Sequence, residues 1–202
     1  MIARGYSLQG NMDAARRFSD KAENRKAAII AYCWDPDSGF FYDYNFVEGK
    51  RSDVKVLTST YPLFFQLAKE DMAARVSTVI QNEFLQPGGL VTSLNDTGEQ
   101  WDAPNGWAPL QWMTYQGLKN YGIHSVANTA RVHWLDQNTR VYKATGRMME
   151  KYNVVDTTLL AGGGEYPTQD GFGWTNGIAL RFLQEESVAN KTGKKVAVGM
   201  NY

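Results

Sequence analysis

Gln100-Trp101-Asp102-Ala103-Pro104-Asn105-Gly106-Trp107-Ala108-Pro109 reads as a loop running into a helix. Pro109 suits a first helical turn, where its missing N–H leaves no bond unmade. Two tryptophans flank a carboxylate, with amide side chains near both ends. Sugars are bound by this combination: indole faces stack on C–H surfaces while Asp, Asn and Gln bridge neighbouring hydroxyls. The same residues also suit a helix-entry loop whose tryptophans fill core and whose Asp102 caps a turn.

Outward from this loop, apolar residues recur at helical spacing and predict an all-α chain of six helices. The first spans about Asn11 to Cys33, with Ala15, Phe18, Ala22, Ile29 and Tyr32 on one stripe, and Asp35-Pro36-Asp37-Ser38-Gly39 stops it. An extended piece from Phe40 to Phe46 can form a hairpin arm. The second helix, near Val54 to Ala68, contains Pro62 as a kink. The third, Met72 to Phe84, ends before Pro87-Gly88-Gly89. A fourth follows Pro109 to Tyr121, a fifth Ser125 to Thr145 and a sixth Trp174 to Glu186. Two long connections, Leu90 to Gly106 and Val154 to Gly173, are rich in Gly and Trp, and long connections of this kind are usually functional.

The second connection ends in Ala161-Gly162-Gly163-Gly164-Glu165-Tyr166-Pro167-Thr168-Gln169-Asp170-Gly171-Phe172-Gly173-Trp174-Thr175-Asn176-Gly177. Glycines before Glu165 permit close backbone approach, and a carboxylate so placed suits a general base acting on water. The plain alternative is a glycine hinge with Glu165 in solvent. A phosphate cradle is disfavoured, because no Gly-Lys-Ser/Thr follows and a carboxylate repels phosphate.

Composition closes other routes. The 202 residues carry 21 basic and 21 acidic side chains, so the one-sided positive field of a nucleic-acid groove or a polybasic membrane anchor is absent. No apolar run approaches the roughly 18 residues of a membrane span. Asp35-x-Asp37-x-Gly39 places its glycine one position early for a calcium loop, and His124 and His133 form no zinc pattern, so no metal and no cofactor is expected. Cys33 stands alone, which rules out an internal disulfide, and low cysteine use leans towards the cytoplasm. Six Trp, eleven Tyr and nine Phe, beside 19 Gly, favour a pocket with aromatic walls and glycine-rich loops.

Two long motifs in the same order give the chain a family resemblance. Gln100-Trp101-Asp102-x-Pro104-x-Gly106-Trp107-Ala108-Pro109 and Gly162-Gly163-Gly164-Glu165-Tyr166-Pro167 through Gly177 closely resemble the carboxy-terminal part of the α,α-trehalases, glycoside hydrolase family 37. Ala161 stands where the family usually has a fourth glycine, and Thr168 where it has an aliphatic residue. Trp34-Asp35-x-x-x-Gly39-x-x-x-Asp43-Tyr44 and Leu85-x-Pro87-Gly88-Gly89-Leu90 fit as well.

The resemblance implies about half of an (α/α)6 barrel of helical hairpins, with residues 1–186 in the catalytic domain and 187–202 a fraying polar tail. It implies inverting hydrolysis of trehalose to two glucoses, with Glu165 as general base. Trp101, Asp102, Trp107, Gln169, Phe172 and Trp174 would line the sugar site. The general acid would lie in an amino-terminal half whose motifs are not in this sequence. Expected partners are therefore trehalose and either that half or a second copy of the chain, with no nucleic acid or membrane. The compartment stays open, because the family occurs in the cytoplasm and the periplasm. A sugar-binding module without turnover and an inactive fragment remain as alternatives.

Overall fold

The structure is a computed structural model that describes residues 1–159 and 164–191, with side chains as far as Glu185. Ala161, Gly162 and Gly163 of the glycine run, and 192–202 of the polar tail, lie outside the described residues. The chain divides into two compact units, Met1–Asp53 and Val54–Tyr202.

The first unit is a helical pair followed by short ladders. Helix α1 (Ile2–Leu8), which the apolar spacing does not reveal, precedes α2 (Met12–Cys33). Asn11 caps α2, its side-chain oxygen accepting from the Ala14 N–H at 3.0 Å. Phe18 of the apolar stripe stacks on Tyr6 of α1 at 5.4 Å. Only Ala14 and Ala15 of α2 are buried, while Ala22 and Tyr32 are exposed. The stripe along α2 is therefore buried only at its amino-terminal end. The extended arm is two antiparallel ladders, β1 (Trp34–Asp35) with β2 (Phe40–Phe41) and β3 (Tyr44–Asn45) with β4 (Lys50–Arg51).

The second unit holds the larger core. The expected helix at Val54–Ala68 is instead a 3-10 turn, Leu57–Thr60, and a single α turn, α3 (Tyr61–Phe64). Pro62 can sit only in a first turn without losing a hydrogen bond, and Gln66 enters the left-handed region at φ 56° and ends the segment. Helix α4 (Glu70–Val79) continues as a wider π turn, Ile80–Phe84, which buries both Ile80 and Phe84. Then come the ladder of β5 (Leu85–Gln86) with β6 (Gly89–Leu90), strand β7 (Asn105–Trp107), helix α5 (Ala108–Asn120) and helix α6 (His124–Thr145). Strand β8 (Lys151–Asn153) and helix α7 (Gly173–Lys191) complete the order, α7 reaching five residues beyond the expected end at Glu186.

Leu110, Leu118, Ala127, Ala130 and Trp134 place the buried faces of α5 and α6 against one another, and Phe182 of α7 packs edge-on to Tyr115 at 4.9 Å. Gln111 acts as a side-chain extension of β6: its amide donates to the Leu90 carbonyl at 2.6 Å and accepts from the Leu90 N–H at 2.9 Å. Both polar groups of this buried amide are thereby satisfied.

Gly106 sits where only a hydrogen fits. A Cβ there would lie 2.5 Å from Val154 Cγ1 and 2.9 Å from the Leu90 carbonyl oxygen. Gly106→Ala is expected to destabilise the fold by about 1–3 kcal/mol through overpacking. Gly177, in α7 with nothing within 4 Å of its Cβ position, should accept alanine neutrally or with a gain of up to about 1 kcal/mol. Thermal unfolding of the two variants beside the parent checks this contrast.

Lys119 of α5 and Glu185 of α7 form a part-buried pair at 2.7 Å. The Lys119 hydrogen bond holds the Glu185 carboxyl below its ordinary range against the opposing effect of burial, with the charges of Lys119 and Arg181 adding. Burial works against the Lys119 ammonium, but the Glu185 and Tyr115 partners raise it overall. The stability of this pair is thus full above the unfolded carboxyl value, about 4.3, and is lost as pH falls through the folded value. Glu185→Gln should cost about 1 kcal/mol at pH 7. In urea titrations against pH, the gap between variant and parent should close as the medium becomes acidic.

Candidate active site

Strands β7 and β8 bring the two glycine- and tryptophan-rich loops together. They pair antiparallel with Asn105 opposite Asn153, Gly106 opposite Tyr152 and Trp107 opposite Lys151. The Val154 N–H extends the contact to the Pro104 carbonyl at 2.9 Å. Loop one is folded onto itself by the Gln100 carbonyl, which accepts from Trp107 Nε1 at 2.9 Å and from Asn105 Nδ2 at 3.3 Å. Asp102 is spent inside the same loop, accepting from the Ser93 hydroxyl at 2.6 Å and from both the N–H and the hydroxyl of Thr97. Burial alone would raise its carboxyl, but these hydrogen bonds win and hold it below the usual range. These bonds match a turn-capping role for Asp102, and they brace the loop that carries Trp101.

Above the ladder stands an aromatic wall. Trp101 stacks on Trp107 with centroids 4.0 Å apart and planes 7° from parallel, and Trp174 meets Trp107 edge-on at 5.8 Å. Phe172 leans on Trp174 at 5.1 Å. Trp101 and Trp174 are 47% and 37% exposed, so each has indole surface to offer, whereas Trp107 is 1% exposed. Its neighbours are Trp101 and the Lys151 ammonium, 5.6 Å from the ring centre. Trp107 therefore backs the wall, buried beneath the Trp101 indole.

Three carboxylates gather beside the wall. Glu165 is exposed, and Glu99 shares a hydrogen bond with it. That bond and the charge of Glu165 push the Glu99 carboxyl up, with partial desolvation and Asp102 adding. Glu150, just before β8, is 4% exposed. Its Oε1 accepts from the Tyr166 hydroxyl at 3.1 Å, and its Oε2 lies 3.4 Å from the buried Lys151 ammonium. Its backbone is clamped from loop two: the Glu150 N–H donates to the Gln169 carbonyl at 2.8 Å, and the Glu150 carbonyl accepts from Trp174 Nε1 at 3.3 Å. Gln169 thus contributes its backbone, while its side chain stays exposed.

The structure brings together Trp101, Trp107, Phe172 and Trp174, and sets Glu165 beside Glu99. Glu150, Glu99 and Tyr166 were not singled out by sequence reasoning. Glu150 directly precedes β8, a strand of three residues too short to show alternation, so its burial comes from tertiary contacts. Among the described residues no group of three or more His, Cys, Asp or Glu side chains could hold a metal ion, and no helix is long and apolar enough to cross a membrane.

Comparison with known proteins accords with this geometry. A family model described as Trehalase matches residues 1–187. The periplasmic trehalase of Salmonella newport is 41% identical over 182 residues, 90% of this chain and 32% of that protein. The periplasmic trehalase of Escherichia coli is 39% identical over 183 residues, 91% of this chain and 32% of that protein. The chain therefore spans about a third of the length of these curated relatives. Neutral trehalase from Saccharomyces cerevisiae superposes with a TM-score of 0.72 at 28% identity, covering 88% of this chain and 33% of that one. The mannosylglycerate hydrolase of glycoside hydrolase family 63 from Thermus thermophilus shares the fold, with a TM-score of 0.60 at 18% identity over 89% of this chain and 39% of that one. The helices are thus part of an (α/α)6 barrel. A family model spanning nearly all of the chain, together with relatives about 40% identical to it, shows that the protein belongs to the trehalase family of glycoside hydrolases.

Proposed function

We propose that this chain supplies the water-activating side of an inverting site that splits trehalose into two glucoses. The observation that carries the reading is the convergence of an exposed indole pair, Trp101 and Trp174, with carboxylates on both sides of one ladder. The indoles give a sugar C–H surfaces to stack on, and Trp107, Phe172 and Asp102 hold them in place. Glu165, with Gln169 nearby in the same loop, takes the proton of the attacking water. An inverting site needs its acid roughly 6.5–9.5 Å from the base, leaving room for that water. The family resemblance puts the acid in the amino-terminal part of the barrel, and this chain spans about a third of its relatives' length.

A second assignment of the base rests on its own observation. Glu150 is buried, fixed by Tyr166 and flanked by Lys151, whereas Glu165 is exposed and faces Glu99. In this assignment Glu150 deprotonates the water and Glu165 accepts from a sugar hydroxyl. A binding module without turnover would use the same indoles and neither carboxylate as a base.

The chain joined to the amino-terminal segment of a periplasmic trehalase is expected to release glucose from trehalose. Replacing the base by alanine should cost about 10²–10⁴-fold or more in turnover, and azide, a nucleophile that needs no base, should restore part of it. Rescue of Glu165→Ala selects Glu165, and rescue of Glu150→Ala selects Glu150. Full turnover by both variants would refute catalysis by either carboxylate.

A further inference from the structure

The buried Glu150 carboxylate has few partners for a group so far from water. Its Oε2 faces Lys151 at 3.4 Å, longer than the roughly 2.7–2.9 Å of a well-formed charge-assisted hydrogen bond. Its Oε1 has the Tyr166 hydroxyl at 3.1 Å. A 4% exposed carboxylate is costly unless it is hydrogen-bonded, so its orientation depends heavily on that phenol.

Tyr166 is itself held on several sides. Gln100 of loop one, 3% exposed, donates from Nε2 to the Tyr166 carbonyl at 3.4 Å. The Lys151 ammonium sits 4.6 Å from the Tyr166 ring centre. Gly164, just before Glu165, lies so close to Gln100 that a Cβ would come within 2.7 Å of its side-chain amide. Gln100 therefore locks the Gly164-Glu165-Tyr166 backbone against loop one, and the locked ring aims its hydroxyl at Glu150. Partial desolvation, the hydrogen bond to Glu150 and the charges of Glu150 and Glu165 push the phenol up, so it stays a donor at neutral pH.

We infer that Tyr166 is a positioning residue for trehalose hydrolysis: its hydroxyl fixes the Glu150 carboxylate while its backbone, clamped by Gln100, holds Glu165 at the edge of the same site. The inference rests on the proposed function with Glu150 as the base, and adds a residue to it.

The test is Tyr166→Phe in the chain joined to a trehalase amino-terminal segment, with trehalose as substrate. This variant keeps the ring, its place over Lys151 and the backbone contact to Gln100, and removes one oxygen. Turnover should fall about 10–100-fold with KM changed less than about twofold, the pattern of a displaced reacting group. Unchanged kcat, or a loss appearing only in KM, would overturn the inference. A double-mutant cycle gives the second measurement: adding Tyr166→Phe to Glu150→Gln should slow the enzyme no further, and multiplicative losses would overturn the inference. If the parent joined protein releases no glucose, the functional reading fails and the inference with it. Turnover by the parent with an indifferent Tyr166→Phe defeats the inference alone.

Discussion

The site depends on one close approach, that of β7 to β8 over Gly106. With Leu90 and Val154 pressed against a glycine hydrogen, the ladder can seat Trp107 opposite Lys151 and Asn105 opposite Asn153. The placement of the aromatic wall beside Glu150 follows from that register. A slip of one residue would turn Trp107 and Lys151 to the opposite face and separate the aromatic wall from the carboxylates. The ladder is short, so the fold reinforces it with side chains: Gln111 closes the edge of β6, and the Gln100 carbonyl folds loop one back on itself.

Above the ladder, polar and aromatic groups satisfy one another in layers. Lys151 is wholly buried with Glu150 at its ammonium and the rings of Trp107 and Tyr166 within 6 Å. A buried ion pair of this kind is poor evidence for stability, because desolvation offsets most of its attraction. Its effect is geometric: it gives a carboxylate and a cation defined places beside an indole surface. Removing either partner would leave the other charge buried and unpaired.

The long helices were legible, and the reasons are local. Pro109 marks the first turn of α5, observed from Ala108 to Asn120, and the apolar spacing of Val126, Ala130, Trp134 and Val141 marks α6, observed from His124 to Thr145. Pro62 was legible as a disturbance, but its consequence was larger than a kink, because only one α turn forms around it. Helix α1 has no buried residue and hence no stripe to find. The two long motifs marked both loops of the site, and most of their aromatics meet there. Spacing could not tell that Asp102 accepts from Ser93 and Thr97, or that Trp107 is buried beneath Trp101. Glu150 escaped for the same reason: nothing in Glu150-Lys151-Tyr152-Asn153 is periodic, and only the fold places it under Tyr166.

The central claim is that the carboxylates of this chain direct water to one face of a glucosyl unit. Early-time proton NMR of trehalose hydrolysis by the joined protein reads that stereochemistry directly, before the glucose anomers equilibrate. Inversion predicts α- and β-glucose in equal amounts, one from each half of the disaccharide. Release of the α anomer alone would show retention and contradict the account.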